Sequence, residues 1–333
     1  MDKPLKYAVF GAGSWATAIV KMLCENLDEV GWYMRSVYTK EHLLKEQHNP
    51  NYLSSVEFHL EQLKISNDIN EIANYADILI FVIPSAFMHS ELQKLNTDIS
   101  NKIIVSAVKG IMPETGLLVG EHFHEVYKIP YPNIAVIAGP CHAEEVALER
   151  LSYLTISCSD SKKAQHIANA LSSDYIKTKI SDDIIGVEYA VMLKNIYAIA
   201  AGIAHGLGYG DNFQSVLMSN AIREMKRFIK KMHKMKRNIN NSAYLGDLLV
   251  TGYSVFSRNR MFGNMIGKGY TVKSAQMEMS MIAEGYYATK SAQLLNEKNI
   301  KKTELPIINA VYAILYDGKN PKKIFKKLTE KLD

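Results

Sequence analysis

The sequence predicts a mostly parallel α/β domain followed by an all-helical domain. Short apolar runs alternate with helical patterns from residue 6 to about residue 181, as is typical of a parallel sheet. Beyond that point the apolar periodicity is helical only. A chain of 333 residues is long enough for two domains. We therefore expect an α/β domain over residues 1–182 and a helical domain over residues 183–333.

The individual elements follow from this periodicity. Strands are predicted at residues 6–10, 29–33, 78–82, 102–107 and 134–138, with shorter ones at 64–66, 153–157 and 175–181. A helix at residues 15–26 connects the first two strands. Helices in the second half are predicted at residues 186–207, 213–233, 242–251, 258–268, 272–278, 282–296, 304–316 and 321–330.

The composition is that of an ordinary globular protein, with 47% hydrophobic and 22% charged residues. The net charge of +5 suits anionic ligands and gives no indication of nucleic-acid binding. Cys24, Cys141 and Cys158 form neither a disulfide framework nor a zinc-binding spacing. No targeting segment is evident, and the longest apolar stretch, residues 76–88, is too short to span a bilayer. We expect a cytoplasmic protein without an integral membrane segment or a metal.

The clearest motif stands near the start of the chain. Residues 11–16 read Gly-Ala-Gly-Ser-Trp-Ala, which is G-x-G-x-x-A between a predicted strand and a predicted helix. Gly11 allows the tight turn, Gly13 lets a pyrophosphate approach the backbone, and Ala16 permits close helix packing. The helix N-terminus then faces the phosphates. We interpret this segment as a dinucleotide-binding turn of the Rossmann type, with a purely structural turn as the alternative.

The end of the second predicted strand bears on the choice of cofactor. Sites that select NAD usually have an acidic residue there, which binds the ribose 2′-hydroxyl. This chain has Arg35 instead. An arginine pairs with a 2′-phosphate, so we expect NADP or NAD with a preference for NADPH; a plain surface arginine is the alternative. Phe87, after the strand ending near Val82, is expected either to stack near the nicotinamide or to pack in the core.

Two lysines are placed for chemistry. Lys109 follows a buried strand and directs a cation toward the edge of the sheet where ligands bind. Lys194 lies within the nearly all-apolar helix at residues 186–207, where an unpaired lysine is rare. A lysine removed from water can exchange a proton near neutral pH. A lysine that merely extends to the helix surface is the alternative for Lys194.

Further polar groups follow along the chain. Gly139 lies at a strand end that leads into a helix, and Asp247 and Thr251 share a helix face at i, i+4 spacing. Arg258 and Arg260 supply guanidinium groups that suit phosphate.

Taken together, these segments resemble the NAD(P)-dependent glycerol-3-phosphate dehydrogenases. The resemblance runs from residue 6 to about residue 295 and rests on an ordered series of motifs. They are GAGSWATA, FVIPSAF, VSAVKG, AGPCHAEEV, VEYAVMLKNIYAIAAGIAHGLGYGDN, LGDLLVT, SRNRMFG and Glu284-Gly285. It implies a Rossmann domain and a helical domain like the C-terminal domain of 6-phosphogluconate dehydrogenase. It also implies reversible reduction of dihydroxyacetone phosphate to sn-glycerol 3-phosphate for phospholipid synthesis, by a homodimer.

The resemblance also implies roles for individual residues. Lys194 matches the catalytic lysine, which exchanges a proton with the C2 oxygen. The implied substrate residues are Lys109, Gly139, Cys141, Lys194, Asp247, Ser257, Arg258 and Asn259, with Arg258 on the phosphate. The implied cofactor contacts, with those argued above, are Gly11, Gly13, Ser14, Trp15, Arg35, Phe87, Lys109, Ala143, Arg258, Ile282 and Glu284.

Two departures and three alternatives accompany this resemblance. Cys141 replaces a small hydroxyl residue, and His142 replaces an aromatic one. A β-hydroxyacid dehydrogenase or a ketopantoate reductase shares the same broad architecture, and a non-catalytic dinucleotide-binding regulator is a third alternative. The basic residues 223–237 are either a solvated helix face or a site of weak attraction to anionic lipid headgroups.

Overall fold

The computed structural model describes residues 4–279, 283–298 and 303–333. The chain divides into two compact units. The first comprises Met1–Val108 and Leu117–Ile184, and the second comprises Lys109–Gly116 and Ile185–Asp333. The segment that begins at Lys109 therefore packs with the helical part of the chain.

The first unit is built on one eight-stranded sheet. Its strands are β1 (Tyr7–Phe10), β2 (Val30–Tyr33), β3 (Leu63–Ser66), β4 (Ile78–Phe81), β5 (Ile103–Ser106), β6 (Ile134–Ala138), β7 (Ser152–Cys158) and β8 (Ile176–Ser181). The strand order is β3-β2-β1-β4-β5-β6-β7-β8. All neighbours pair in parallel except β6 and β7, which are antiparallel. The predicted mostly parallel sheet is confirmed.

Helices connect the strands of this unit. They are α1 (Ser14–Cys24), α2 (Val37–Glu46), α3 (Ile69–Tyr75), α4 (Ser85–Leu92), α5 (Val119–Tyr127), α6 (Ala143–Ala147) and α7 (Ser161–Leu171). Strands β1, β2 and β4 are buried along their whole length, as expected of a parallel sheet covered on both faces. Strands β2 and β3 are added on one side of β1, and β4 and the later strands on the other side, so the strand order reverses between β1 and β4. Open α/β sheets bind ligands at the carboxyl ends of the strands at such a point.

The regular elements of the second unit, among its described residues, are helices. Its helices are α8 (Ile184–Gly206), α9 (Asp211–Met232), α10 (Asp247–Tyr253), α11 (Arg258–Gly267), α12 (Val272–Glu278), α13 (Glu284–Glu297), α14 (Pro306–Leu315) and α15 (Pro321–Thr329). The helix predicted from residue 242 begins as a π-helical turn, Ser242–Gly246, which leads into α10.

Helix α8 is the core of this unit. With 23 residues, α8 is long and apolar enough to cross a membrane, but 94% of its most apolar stretch is buried inside the protein. A helix that is apolar on all sides is buried by other elements. We therefore assign α8 as a core helix of a folded domain.

Glycines allow α8 and α11 to approach each other backbone to backbone. A Cβ atom at Gly202 would collide with the carbonyl of Arg260, and one at Gly263 would collide with the carbonyl of Ile199. Gly206 and Gly267 face each other in the next turn of the same contact. Because α8 carries Lys194 and α11 begins at Arg258, this close approach sets the separation of the two helices that carry these cations.

The helical unit contains a buried carboxylate that caps a helix. Glu224 on α9 has no exposed surface and accepts hydrogen bonds from the backbone N–H groups of Ile307 and Ile308, at 2.8 and 3.0 Å. It thereby caps the N-terminus of α14 from a distant part of the chain. Burial raises the pKa of Glu224 to about 7, although these N–H groups oppose the rise.

We predict that Gly263→Ala destabilises the protein by about 3 kcal/mol, because the added methyl group meets a backbone carbonyl that has no room to move. The free energy of unfolding in urea measures this cost. Gly252→Ala is the matched control, since its Cβ would meet the flexible Met218 side chain, 2.7 Å from Sδ. Equal stability of the two variants would contradict the close helix contact.

Candidate active site

The glycine turn has the backbone that the motif requires. Gly11 has φ = +132°, and a Cβ atom there would lie 3.0 Å from the carbonyl oxygen of Val82. A Cβ atom at Gly13 would have nothing within 4 Å, so it would project into the open space in front of α1. A pyrophosphate needs this space to reach the helix N-terminus. Ser14 and Trp15 are the first two residues of α1.

Asn49 holds this turn from outside it. Its side chain has no exposed surface, and Nδ2 donates to the carbonyl of Ala12 and to Oγ1 of Thr17, both at 3.0 Å. Oγ1 of Thr17 in turn donates to the carbonyl of Gly13 at 3.0 Å. These bonds fix two carbonyl groups of the glycine turn, which orients the intervening peptide N–H groups. Asn49 is not predictable from the sequence, because nothing local in the loop after α2 shows its contact with residues 32 and 37 positions earlier.

Arg35 lies just beyond the end of β2, and its side chain is 64% exposed. Its guanidinium carbon is 5.9 Å from the ring centroid of Phe87, and Nη1 is 3.6 Å from a carboxylate oxygen of Glu91. Phe87 is itself 40% exposed, so it is not a core residue. Both residues lie beside the strand ends at which a dinucleotide is expected.

The glycine turn, the start of α1 and the nearby guanidinium therefore fit a dinucleotide with its anionic groups. Within residues 4–279, 283–298 and 303–333, no group of three histidine, cysteine or carboxylate side chains is arranged to hold a metal ion.

The loop between β6 and α6 and the first residue of α6 contain three of the predicted contact residues. Gly139 has φ = +130°, and a Cβ atom there would lie 2.5 Å from the carbonyl oxygen of Tyr153. Cys141 is buried within this loop, and Ala143 begins α6 and is also buried. The positive φ and the close approach to β7 both require glycine at position 139.

In the second unit, Lys194 and Asp247 form a buried ion pair. Their side chains are 7% and 2% exposed, and Nζ of Lys194 donates to Oδ1 of Asp247. One turn further along α10, Oγ1 of Thr251 donates to the carbonyl of Asp247 at 2.6 Å. The alternative that Lys194 extends to the helix surface is therefore wrong.

A chain of amide hydrogen bonds connects the charged residues of this unit. Nδ2 of Asn195 donates to the carbonyl of Lys109 at 3.2 Å, and Nδ2 of Asn259 donates to Oδ1 of Asn195 at 3.0 Å. Oδ1 of Asn259 accepts from the N–H of Gly285 at 2.8 Å. The second and third of these bonds are buried. Asn195, Asn259 and Gly285 are sequence neighbours of Lys194, Arg258 and Glu284, and Lys109 takes part through its own carbonyl. These hydrogen bonds therefore fix the backbone positions of the four charged residues relative to one another.

The charges of this cluster influence one another. Burial lowers the pKa of Lys109 to about 8, and the neighbouring cations Lys194 and Arg258 contribute to the decrease. Burial also raises the pKa of Glu284, against the effect of Lys109, Arg258 and Lys194. With Asp247, the cluster contains three cations and two carboxyl groups. This balance suits an anionic ligand.

Ser257 and Arg258 start α11. The buried hydroxyl oxygen of Ser257 accepts a hydrogen bond from the backbone N–H of Arg260 at 3.3 Å and so caps the helix. Arg258 is the first helical residue, next to this cap. A helix N-terminus attracts anions, so Arg258 and the cap together favour a phosphate at this place.

The structure thus gathers most of the predicted residues into two groups. The first unit contains the predicted residues of the glycine turn, the end of β2 and the loop after β6. The second unit brings Lys109, Lys194, Asp247, Arg258, Asn259 and Glu284 together through the contacts above. Ile282 lies outside the described residues. Asn49, Glu91 and the role of Asn195 are not predictable from the sequence, because their contacts join positions that are far apart along the chain.

The family models and the relatives that match this chain all belong to one enzyme family. The family model for the N-terminus of NAD-dependent glycerol-3-phosphate dehydrogenase matches residues 6–164, and the model for its C-terminus matches residues 183–326. The glycerol-3-phosphate dehydrogenase [NAD(P)+] of Oceanobacillus iheyensis is 34% identical over 327 residues, covering 97% of this chain and 93% of that protein. The same enzyme from an Exiguobacterium species is 35% identical over 96% of this chain and 94% of its own length.

A solved structure agrees with these relatives. The crystal structure of glycerol-3-phosphate dehydrogenase from Coxiella burnetii has a TM-score of 0.89 and 28% sequence identity to this chain. The match covers 98% of this chain and 99% of that one.

We predict that Asn49→Ala weakens dinucleotide binding about tenfold, because the glycine turn loses the two bonds that fix its carbonyls. Isothermal titration of the purified protein with NADH and with NADPH measures the two dissociation constants. Asn51→Ala is the matched control, since Asn51 is exposed and contributes its backbone N–H to this cluster. Unchanged affinity in a folded Asn49→Ala protein would refute the positioning role.

Proposed function

Because this chain belongs to the NAD-dependent glycerol-3-phosphate dehydrogenase family, we propose that its Lys194–Asp247 pair carries out proton transfer in a glycerol-3-phosphate dehydrogenase reaction. The reaction is the reversible NAD(P)H-dependent reduction of dihydroxyacetone phosphate to sn-glycerol 3-phosphate. The observation that carries the proposal is a buried ammonium group, paired with one carboxylate, in the same cluster as Lys109 and Arg258. The family match removes the β-hydroxyacid dehydrogenase and ketopantoate reductase alternatives, which rested on a shared architecture.

Reduction of the ketone needs a hydride at C2 and a proton on the C2 oxygen. The reduced nicotinamide, when bound, supplies the hydride. Lys194 donates the proton from Nζ to the C2 oxygen as negative charge develops there, and it takes the proton back in the oxidation direction. Asp247 holds Nζ in place and balances its charge in a site from which water is largely excluded.

Lys109 acts as a second cation on the substrate. Its charge stabilises the developing alkoxide electrostatically, without itself giving up a proton. Its carbonyl is fixed by Asn195, the residue next to Lys194. This hydrogen bond fixes the backbone of Lys109 relative to the helix that carries Lys194.

We assign the phosphate group of the substrate to the start of α11. Arg258 provides a guanidinium group that matches phosphate oxygens, and Ser257 and Asn259 flank it. We further propose that Gly139 and Cys141 contribute substrate contacts through the loop after β6. At Cys141 a backbone contact replaces that of a hydroxyl side chain.

The pyrophosphate and the adenosine ribose of the dinucleotide are assigned to the first unit. Gly11, Gly13, Ser14 and Trp15 bind its pyrophosphate at the N-terminus of α1. Arg35 contacts the adenosine ribose and gives a preference for NADPH. The remaining proposed cofactor contacts are Phe87, Lys109, Ala143, Arg258, Ile282 and Glu284. We accordingly propose residues 1–182 as the dinucleotide-binding domain and residues 183–333 as the substrate domain.

We also propose that the protein acts as a cytoplasmic homodimer that supplies phospholipid synthesis. Leu249 and Tyr253 are exposed one turn apart on α10, and Val255 is exposed just beyond it. Exposed apolar side chains on one helix face support a contact with a second copy.

Weak attraction of the second unit to anionic headgroups is supported by its charge. Residues 185–333 contain 23 lysine and arginine residues against 11 aspartate and glutamate residues. On α9, Lys226, Lys230 and Lys231 are exposed.

We predict that Lys194→Ala lowers kcat/KM for dihydroxyacetone phosphate about 1,000-fold, because the reaction loses its proton donor. Oxidation of NADH and NADPH, followed with purified wild type and variant, measures the loss. Lys230→Ala removes an exposed lysine of the same unit and serves as the control. Undiminished turnover by Lys194→Ala would refute its role, and absence of wild-type turnover with either cofactor would refute the function.

We predict that kcat/KM for dihydroxyacetone phosphate falls as the pH rises above about 8, because Lys109, whose pKa is lowered to about 8, then loses its charge. Below this pH the cation is present and stabilises the developing alkoxide. In Lys109→Arg the guanidinium stays charged, so the decline moves to higher pH whatever the absolute rate. Steady-state rates from pH 6 to pH 10 test this, and an identical decline in both proteins would contradict it.

A further inference from the structure

Glu91 is a buried carboxylate that the proposed reaction does not use. It lies on α4, where only 3% of the residue is exposed. The hydroxyl of Tyr33 donates to Oε2 at 2.6 Å, and Nζ of Lys94 donates to Oε1 at 2.9 Å. These two bonds hold the carboxylate at a fixed position beside the end of β2.

The same carboxylate faces Arg35. Nη1 of Arg35 is 3.6 Å from Oε1 of Glu91, while the guanidinium lies near the ring of Phe87. Glu91 and Phe87 therefore restrain the guanidinium, although most of the arginine side chain is in solvent. Arg35 therefore has a buried anionic partner although most of its own side chain is in solvent.

The position of this pair bears on the difference between the two nicotinamide cofactors. NAD and NADP differ only at the 2′ position of the adenosine ribose, and the residue at the end of β2 meets that position. Sites that select NAD place an acidic residue on β2 itself. Here the strand end carries a cation, and the acidic group reaches the same place from α4, 56 positions later in the chain than Arg35.

We propose that Glu91 is a specificity-determining residue, whose negative charge restrains Arg35 and offsets its attraction for a 2′-phosphate, so that the enzyme uses both NADH and NADPH. The proposal rests on the assignment of Arg35 to the cofactor site under the proposed function. Arg35 and Lys94 together contribute two positive charges, and Glu91 cancels one of them. A dianionic 2′-phosphate therefore gains less from this site than it would without the carboxylate.

The carboxylate is in the charged form that the proposal needs. Burial disfavours ionisation, but the hydrogen bonds from Tyr33 and Lys94 and the charge of Arg35 outweigh it and keep the pKa of Glu91 below its usual value. A purely structural role, in which Glu91 only ties α4 to β2, would affect the binding of both cofactors alike. The ratio of the two affinities therefore separates the two roles.

The test is Glu91→Gln, which keeps the shape of the side chain and an oxygen that accepts from Tyr33. Equilibrium fluorescence titration of the cofactor-free enzyme gives dissociation constants for NADPH and NADH at fixed ionic strength. We expect NADPH affinity to rise about three- to tenfold relative to NADH affinity, and NADH affinity to stay within about twofold of wild type. The fragments 2′,5′-ADP and 5′-AMP, which lack the nicotinamide, should show the same change in ratio.

Two further variants keep the outcome interpretable. Glu61→Gln removes an exposed carboxylate of the same unit, and it should leave the affinity ratio unchanged. Lys94→Met removes one positive charge and a hydrogen-bond donor of Glu91. It should lower NADPH affinity relative to NADH affinity, also where Glu91→Gln folds poorly, and an unchanged ratio in a folded Lys94→Met protein would contradict the charge balance of this cluster.

Arg35→Ala distinguishes this inference from the proposed function. Unchanged NADPH affinity in Arg35→Ala would refute the cofactor assignment of Arg35. A selective loss of NADPH affinity in Arg35→Ala, combined with an unchanged or lowered NADPH-to-NADH affinity ratio in Glu91→Gln, would overturn the role of Glu91 alone.

Discussion

The second unit is organised around one buried charge. Lys194 lies in a helix that is apolar on nearly all sides, and removing an ammonium from water without a partner costs several kcal/mol. Asp247 supplies that partner, so α10 must present its first residue to the middle of α8. The π-helical turn before Asp247 widens the backbone immediately before this position. The ion pair therefore satisfies the buried charge of Lys194 within the fold, and in the proposed function it is also the source of the proton.

The rest of the cluster is held relative to this pair by two different means. Backbone contact at the glycines brings α11 against α8, which a side chain at Gly202 or Gly263 would prevent. The amide groups of Asn195 and Asn259 then connect the segments with directional bonds. Packing sets the distance between the helices, and the amides set their register. Charged groups alone would do neither, since Coulomb forces have little directionality.

Much of this architecture is predictable from sequence because the signals are local. The strands follow from short apolar runs, the glycine turn from its spacing, and the importance of Lys194 from a lysine in an apolar helix. Asn49 and Glu91 are not predictable in this way. Each acts on a segment more than 30 positions away, and only the folded sheet brings them together. Likewise, no local pattern shows that Lys109 packs with the helical unit rather than with the sheet whose strand it follows.

Proton donation by Lys194 is tested most directly by chemical rescue of the Lys194→Ala protein with small primary ammonium ions. Removal of the side chain leaves a cavity next to Asp247, which a methylammonium ion fits in size and charge. We expect saturable recovery of dihydroxyacetone phosphate reduction in Lys194→Ala, with no stimulation of wild type. Failure of every small amine to restore turnover, in a variant that is folded and still binds NADH, would contradict proton donation from this position.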